Sequence, residues 1–279
     1  MKFAIYFFSA FILTSAACTS GERKEPPLEE EERFSYDLPD YQKRADMPSM
    51  VKQMLNYHNF DDFMENEVIV FDLKLTLEGE EELNATIYSK TNSSKVKLAR
   101  IDGSSVLYDG DEVYLSPDTA DYPNARFDVL VWEYLALAPF KLAHDYTRWG
   151  QPERLPLYQD STTAVKVSFA TDSIYFPSEW FMVYQNRQSK LMEALGNIMI
   201  LAAETVNGAE NMLHAVTYSD YEMVDTTFVA GKLEFWKWTS REGIQDKVGE
   251  AEISDIRFSN EKPEMFSFPE TFKLLPATE

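Results

Sequence analysis

From residue 67 onward most of this chain alternates apolar and polar residues with a period of two, and the alternation predicts strands. In EVIVFDLKLTL (67–77), Ile69, Phe71, Leu73, Leu75 and Leu77 share one face, while Asp72, Lys74 and Thr76 take the other. LEGEEEL links this strand to LNATIYSK, and SKVKLARI follows. SVLYDGDEVYLS sets Asp109-Gly110 between two short strands, and that dipeptide favours a primed hairpin turn. TAVKVSFATD, EWFMVYQN, VAGKLEFWKWT and GEAEISDIRF continue the series. KLMEALGNIMILAAET fits strand or helix, and Asn207-Gly208 between it and NMLHAVTYSDYEM predicts a further hairpin. Ala251 and Ile253 share a parity that Ile256 and Phe258 leave, which predicts a β-bulge near Ser254-Asp255.

Two stretches follow the helical period instead. DMPSMVKQMLNYH (46–58) predicts a short helix capped by Asp46, with Pro48 in its first turn and Met47, Val51, Met54, Leu55 and His58 on one stripe. In NARFDVLVWEYLALAPFKLAHDY, Phe127, Leu130, Val131, Tyr134, Leu135 and Ala138 form a helical face, and Pro139 ends it. Val129, Trp132 and Leu137 make the opposite face apolar too, so the helix near 127–138 is expected to be buried on most sides. The expected fold is mainly β (α+β): a large curled antiparallel sheet in meander order, wrapped around that helix, with a short N-terminal helix.

The first residues change where such a domain is expected to reside. Met1 and Lys2 precede an apolar run from Phe3 to Leu13, then the small residues Ser15, Ala16 and Ala17, which is the pattern of a secretory signal over 1–17. The run is short of the roughly 20 apolar residues that cross a bilayer. TSAAC resembles the bacterial lipobox, in which the cysteine becomes the lipidated first residue, here Cys18. Ordinary cleavage leaving Cys18 as a free thiol is the plainer alternative; this is the chain's one cysteine, so no internal disulfide competes for it. A diacylglycerol plus an amide-linked acyl chain, such as palmitate, satisfies the need for more than one chain in stable anchoring. Residues 18–46, rich in Glu and Pro, read as an extended tether before a single domain over 47–279. The acidic run Glu29 to Glu32 resembles a surface-export signal of Bacteroidota lipoproteins, but it stands farther from the cysteine than that signal usually does, and a solvated linker is the alternative. The expectation is a lipid-anchored protein of the outer membrane, on its periplasmic side or displayed on the surface.

Charge and composition exclude several roles. The formal net charge is -21, and losing Lys2 with the signal leaves -22. That excludes the positive stripe needed to bind nucleic acid or to dock a folded face on anionic lipid. His58, His144 and His214 lie far apart, with no HExxH spacing and no neighbouring cysteine, so no zinc motif is present. No EF-hand loop, G-x-S-x-G elbow, phosphate-cradling loop or dinucleotide fingerprint is found, and ten glycines leave little material for them. Trp236 and Trp238 share one face of a strand, where they could stack on sugar or pack beneath a loop. The sequence predicts no catalytic residue, no metal and no cofactor.

A set of segments in order carries a family resemblance: the helix ending at His58, LYDGDEVYLSPD, YLALAPFKL, EWFMVYQNRQSKLMEAL, LHAVTYSDYEMVDTTFVAGKLEFWKW and FSFPETFKL. From Met47 to Leu274 the arrangement resembles an uncharacterised lipoprotein family of the Bacteroidota. That family is in turn similar to the half-open β-barrels of the lipoprotein carrier and receptor proteins of the Gram-negative envelope. The family often has Gly after the helix-ending His, where this chain has Asn59. The resemblance implies a non-catalytic module for a hydrophobic acyl or lipid ligand, with the 127–138 helix as plug or lid. Phe71, Leu73, Trp132, Leu135 and Phe140 are the residues expected to line the site; the alternative is that they are plain core. A scaffold docking on a membrane complex through its acidic surface, and a hydrolase without a recognisable motif, are the other two expectations.

Overall fold

Alternation with one apolar face per strand builds a sheet that must cover that face with something else. The computed structural model describes residues 40–169, 180–198, 214–268 and 271–276. Cys18, the signal, Asn207-Gly208 and most of the tether lie outside the described residues. Helices α1 (Ser49–Tyr57) and α2 (Phe60–Glu65) precede strands β1 (Val68–Leu77), β2 (Glu80–Lys90), β3 (Val96–Arg100), β4 (Ser105–Tyr108) and β5 (Val113–Ser116). Helices α3 (Ala125–Ala136) and α4 (Ala138–Lys141) follow. The chain then forms β6 (Thr147–Trp149), β7 (Glu153–Pro156), β8 (Ser161–Phe169), β9 (Trp180–Gln185), β10 (Met192–Gly196), β11 (Ala215–Val224), β12 (Thr227–Thr239), β13 (Gly243–Ser259) and β14 (Lys273–Leu275).

All fourteen strands belong to one sheet, in the order β14-β5-β4-β3-β2-β1-β13-β12-β11-β10-β9-β8-β6, with β7 pairing β8 beside β6. Two antiparallel meanders, β1–β5 and β8–β13, are joined where β1 pairs with β13. The path is open: β14 and β6, three residues each, form its ends. Such short end strands offer little template for unwanted pairing. The bulge lies where the parity break predicts it: Val70 pairs with Arg257 but Asp72 with Ser254, and Asp255 takes φ 52°.

One face of the sheet and all four helices share a single core that runs from Leu115 on β5 through Phe71 and Leu73 on β1 to Val165 and Phe169 on β8. Helix α3 lies in this core. Of its twelve residues, Arg126 and Leu130 alone are not buried, so the helix is enclosed as its two apolar faces require. Pro139 stands in the first turn of α4, after the break at Leu137.

The first helix is a correction. It begins at Ser49, with Pro48 at its N-cap and no side-chain cap. Asp46 is held instead by Arg44, whose Nε and Nη2 reach its two carboxylate oxygens at 3.2 and 2.7 Å. A two-pronged guanidinium bond outcompetes a single backbone N–H for that carboxylate. Of residues 40–46, expected in the tether, Tyr41 and Arg44 are held on the domain: Tyr41 is buried, and Arg44 donates to the carbonyls of His144 and Thr147. The Asp109-Gly110 hairpin also differs in detail. Its loop runs from Asp109 to Glu112, and Asp109 Oδ1 accepts the N–H groups of Asp111 and Glu112 at 3.0 Å each. The aspartate side chain therefore shapes a longer loop than the two-residue primed turn.

Candidate functional site

The concave side of the sheet is the place where an apolar ligand could be held, and here it is filled by α3 and α4. Phe71, Leu73, Trp132, Leu135 and Phe140 are all brought into the one core, each no more than 3% exposed. Trp132 meets Phe235 of β12 edge-on at 5.6 Å, and Phe140 stacks flat on Phe63 of α2 at 3.9 Å. Tyr218 of β11 donates its hydroxyl to the carbonyl of Leu135 at 3.0 Å. Phe71 and Leu73 thus line the bed on the sheet, and Trp132, Leu135 and Phe140 belong to the helices that fill it. Three surface clefts of about 390, 270 and 360 Å³ lie outside that core, bordered mainly by polar groups such as Arg100, Asp102, Asp72, Thr86, Lys97 and Arg257.

The plug is not apolar throughout. Glu133 on α3 is 0% exposed and Lys141 on α4 is 2% exposed, with Lys141 Nζ 2.5 Å from Glu133 Oε1. The same oxygen accepts the Ser89 hydroxyl of β2 at 2.5 Å, and Lys141 also donates to the Ser93 hydroxyl in the turn after β2. Glu133 Oε2 is buried with no hydrogen-bond partner. Burial pushes the Lys141 ammonium below the usual lysine range, and the Glu133 carboxylate pulls it back. A turn earlier, Asp128 accepts from Tyr122 Oη at 2.5 Å and Trp132 Nε1 at 2.6 Å. Burial lifts the Asp128 carboxyl to about 6, against the pull of those two bonds.

Sequence reasoning missed Ser89, Asp128, Glu133 and Lys141. A signal for two of them existed: acids inside a helix apolar on both faces must be buried with it. Their partners were invisible, because Ser89 stands 44 residues from Glu133 in the chain.

His58 lies within the same wall. Its Nδ1 meets the carbonyl of Phe228 at 2.9 Å and its Nε2 meets the N–H of Met192 at 3.0 Å. A carbonyl can only accept and an amide N–H can only donate, so the proton is on Nδ1 and the ring is neutral. Burial holds its pKa down, to about 4. Asn59 adopts φ 55°, the left-handed conformation that Gly takes freely and Asn tolerates best among the others. His58 therefore joins α1 to β10 and β12 and is fully occupied. Trp238 packs beneath Leu155 and Leu157 in a second, smaller cluster on the outer face, which accounts for one of the two strand tryptophans. Among the described residues no group of three His, Cys, Asp or Glu side chains is placed to hold a metal, and no helix is long and apolar enough to cross a membrane.

The fold and the core define an open antiparallel sheet, not closed into a barrel, with α3 and α4 enclosed against one face. No family model matches the chain, and no curated protein matches it. Solved structures do. A LolA superfamily protein from Nitrosomonas europaea is similar at 7% identity, covering 77% of this chain and 97% of that one, with a TM-score of 0.47. A domain assigned to outer membrane lipoprotein sorting, from Vibrio parahaemolyticus, is similar at 11% identity over 77% and 97%, TM-score 0.47. A DUF1329 family protein from Desulfovibrio piger is similar at 10% identity over 76% and 94%, TM-score 0.43.

Proposed function

We propose that this chain is a non-catalytic, lipid-anchored module of the cell envelope that takes a hydrophobic acyl ligand into the concave side of its sheet, with α3 as the plug that gives way. The observation that carries this reading is the charged seam under the plug. Beneath α3, Glu133 is bonded to Ser89 of the sheet and paired with Lys141 of α4, which in turn reaches Ser93. A buried pair roughly breaks even against its desolvation cost, whereas an apolar seam of the same size would hold firmly. Parting Glu133 from Lys141 is costly unless another group takes its place, so such a seam suits an element that leaves only as a ligand enters. What it would uncover is a continuous apolar wall, from Ile87 and Leu98 through Phe71 and Leu73 to Leu233 and Val216. Such a wall suits an acyl chain.

The Cys18→Ser chain, purified without detergent, tests both halves. It is expected in the soluble fraction, where the unaltered chain sediments with membranes; continued sedimentation overturns the anchor. Native mass spectrometry of that soluble chain is expected to show an added amphiphile, lost in Leu135→Glu. A bare mass, with one protein partner recovered from cross-linked envelopes, supports the acidic docking scaffold in its place.

A further inference from the structure

Helices α3 and α4 are held to the rest of the molecule in different ways. Helix α4 is fixed to α1 and α2: Phe140 stacks on Phe63 at 3.9 Å and meets the His58 ring edge-on at 5.7 Å. Helix α3 ends at Leu137, which leaves helical geometry at φ -105°, ψ 15°, and Pro139 lies just beyond it. Proline offers no N–H to continue the α3 ladder, so the two helices are separate bodies joined at Leu137. If α3 lifts on that joint, Glu133 leaves with it. Lys141, Ser89 and Ser93 stay behind with α4, β2 and the turn.

We propose that Ser89, Ser93 and Lys141 form a carboxylate-binding site, filled in the closed molecule by the protein's own Glu133 and taken over by the head of a long-chain fatty acid when α3 lifts. This rests on the binding-module reading above and names its ligand class. The closed site already holds a carboxylate, whose Oε1 receives both the Ser89 hydroxyl and the Lys141 ammonium at 2.5 Å. The fit is incomplete, since Oε2 is buried without a partner. The reach of Glu133 is set by its place on the helix, whereas a free carboxylate can shift as well as rotate to satisfy both oxygens. Charge also selects. Lys141 remains enclosed by α4 and the turn, and a carboxylate replaces Glu133 there one for one, which a neutral head does not. The chain has a bed beside the head: Ser89 pairs with Ile69 and Val96 on the concave face, and the next row across the sheet is Phe71, Ile87, Leu98 and Val106.

The test uses cis-parinaric acid and the alcohol of the same chain, each titrated by fluorescence into the Cys18→Ser chain. The acid is expected to bind at least tenfold more tightly than the alcohol. Lys141→Met is expected to bring the two within twofold, and Ser89→Ala, a smaller change in the core, to reduce the ratio about threefold. Glu133→Gln, which removes the internal competitor, is expected to tighten the acid. Far-UV circular dichroism identifies any variant that fails to fold, and the Ser89→Ala ratio decides the matter if Lys141→Met does. Equal affinity for acid and alcohol in the unaltered site overturns the carboxylate assignment and leaves the hydrophobic module standing. A lysophosphatidate of equal chain length binding as tightly as the acid also overturns it, because any anion would then serve. If neither acid nor alcohol binds, the module itself is overturned.

Discussion

Two networks of lysine and glutamate, one on each face of the sheet, are built from the same chemistry under opposite conditions. On the concave side Glu133 and Lys141 form one pair, both essentially without solvent. On the outer side of β12 and β13, Lys247 reaches Glu234 at 2.5 Å and Glu250 at 2.7 Å, and Lys232 reaches Glu250 at 3.0 Å, with each side chain 27–37% exposed. The distances are alike; the consequences are not. Water screens the outer ladder, and its ionic contacts are worth little. Nothing screens the inner pair, so each charge depends on the other being present. The difference locates the part of the molecule where a single charge change is expected to matter.

The largest expected effect follows from breaking the inner pair on one side. Glu133→Ala removes the carboxylate that faces buried Lys141 and is expected to lower stability by about 3–5 kcal/mol in urea unfolding at neutral pH. Replacing both partners, as Glu133→Leu with Lys141→Met, is expected to recover most of that loss. A single substitution that costs less than 1 kcal/mol would erase the contrast between the faces.

Acid sharpens the same contrast, because the concave side also encloses two neutral histidines. Burial lowers the His58 pKa to about 4, and burial with the nearby Lys141 charge lowers that of His144 to about 3. For a base with a depressed folded pKa the unfolded chain binds the proton first. The stability from His58 is therefore complete above about pH 6.5 and is lost as the pH falls toward 4, by about 3 kcal/mol. Asp128 works the other way: its raised value, about 6, means that its contribution is present at low pH and is lost as the pH rises through 6. The melting temperature is expected to fall between pH 6.5 and 4.5, and more steeply in Asp128→Asn. A flat profile over that range in Asp128→Asn, where no opposing group remains at that position, would show the histidines to be open to water.

On the outer face the sensitive point is steric. Gly196 of β10 lies under the Trp238 ring, and a Cβ there would stand 2.7 Å from it. Gly196→Ala is expected to cost about 1–3 kcal/mol, as overpacking does in a closed site. Trp238→Leu in the same chain is expected to return part of it, and unaltered thermal stability in Gly196→Ala alone would show the second cluster to be loosely packed.

The sheet was legible in the sequence because its outer face is wet. Asp72, Lys74 and Thr76 alternate with Leu73 and Leu75, and the alternation survives even the bulge at Asp255. The plug was legible as a helix for the converse reason, since both its faces are apolar. What the pattern could not show is partnership across the chain. Asp46 looks like a helix cap until Arg44 is seen beside it, and Glu133 looks like a misplaced acid until Lys141 and Ser89 converge on it. The residues expected to line a ligand site, from Phe71 to Phe140, lie together in one core. The charged seam among them belongs to three-dimensional structure.

The smallest predicted effect is the one that defines the outer ladder. Glu234 and Glu250 face each other directly across β12 and β13, an arrangement that like charges disfavour, and Lys232 and Lys247 both sit between them. Because the two lysines share the task, removing one leaves the other to bridge the carboxylates. Lys247→Ala is therefore expected to change stability by about 0.5 kcal/mol or less in low salt, and by nothing measurable in 1 M sodium chloride. Parallel urea titrations of Lys247→Ala and the unaltered chain at the two salt concentrations check this. A loss that persists in high salt would mean that the Lys247 stem packs on the sheet and that its charge was incidental.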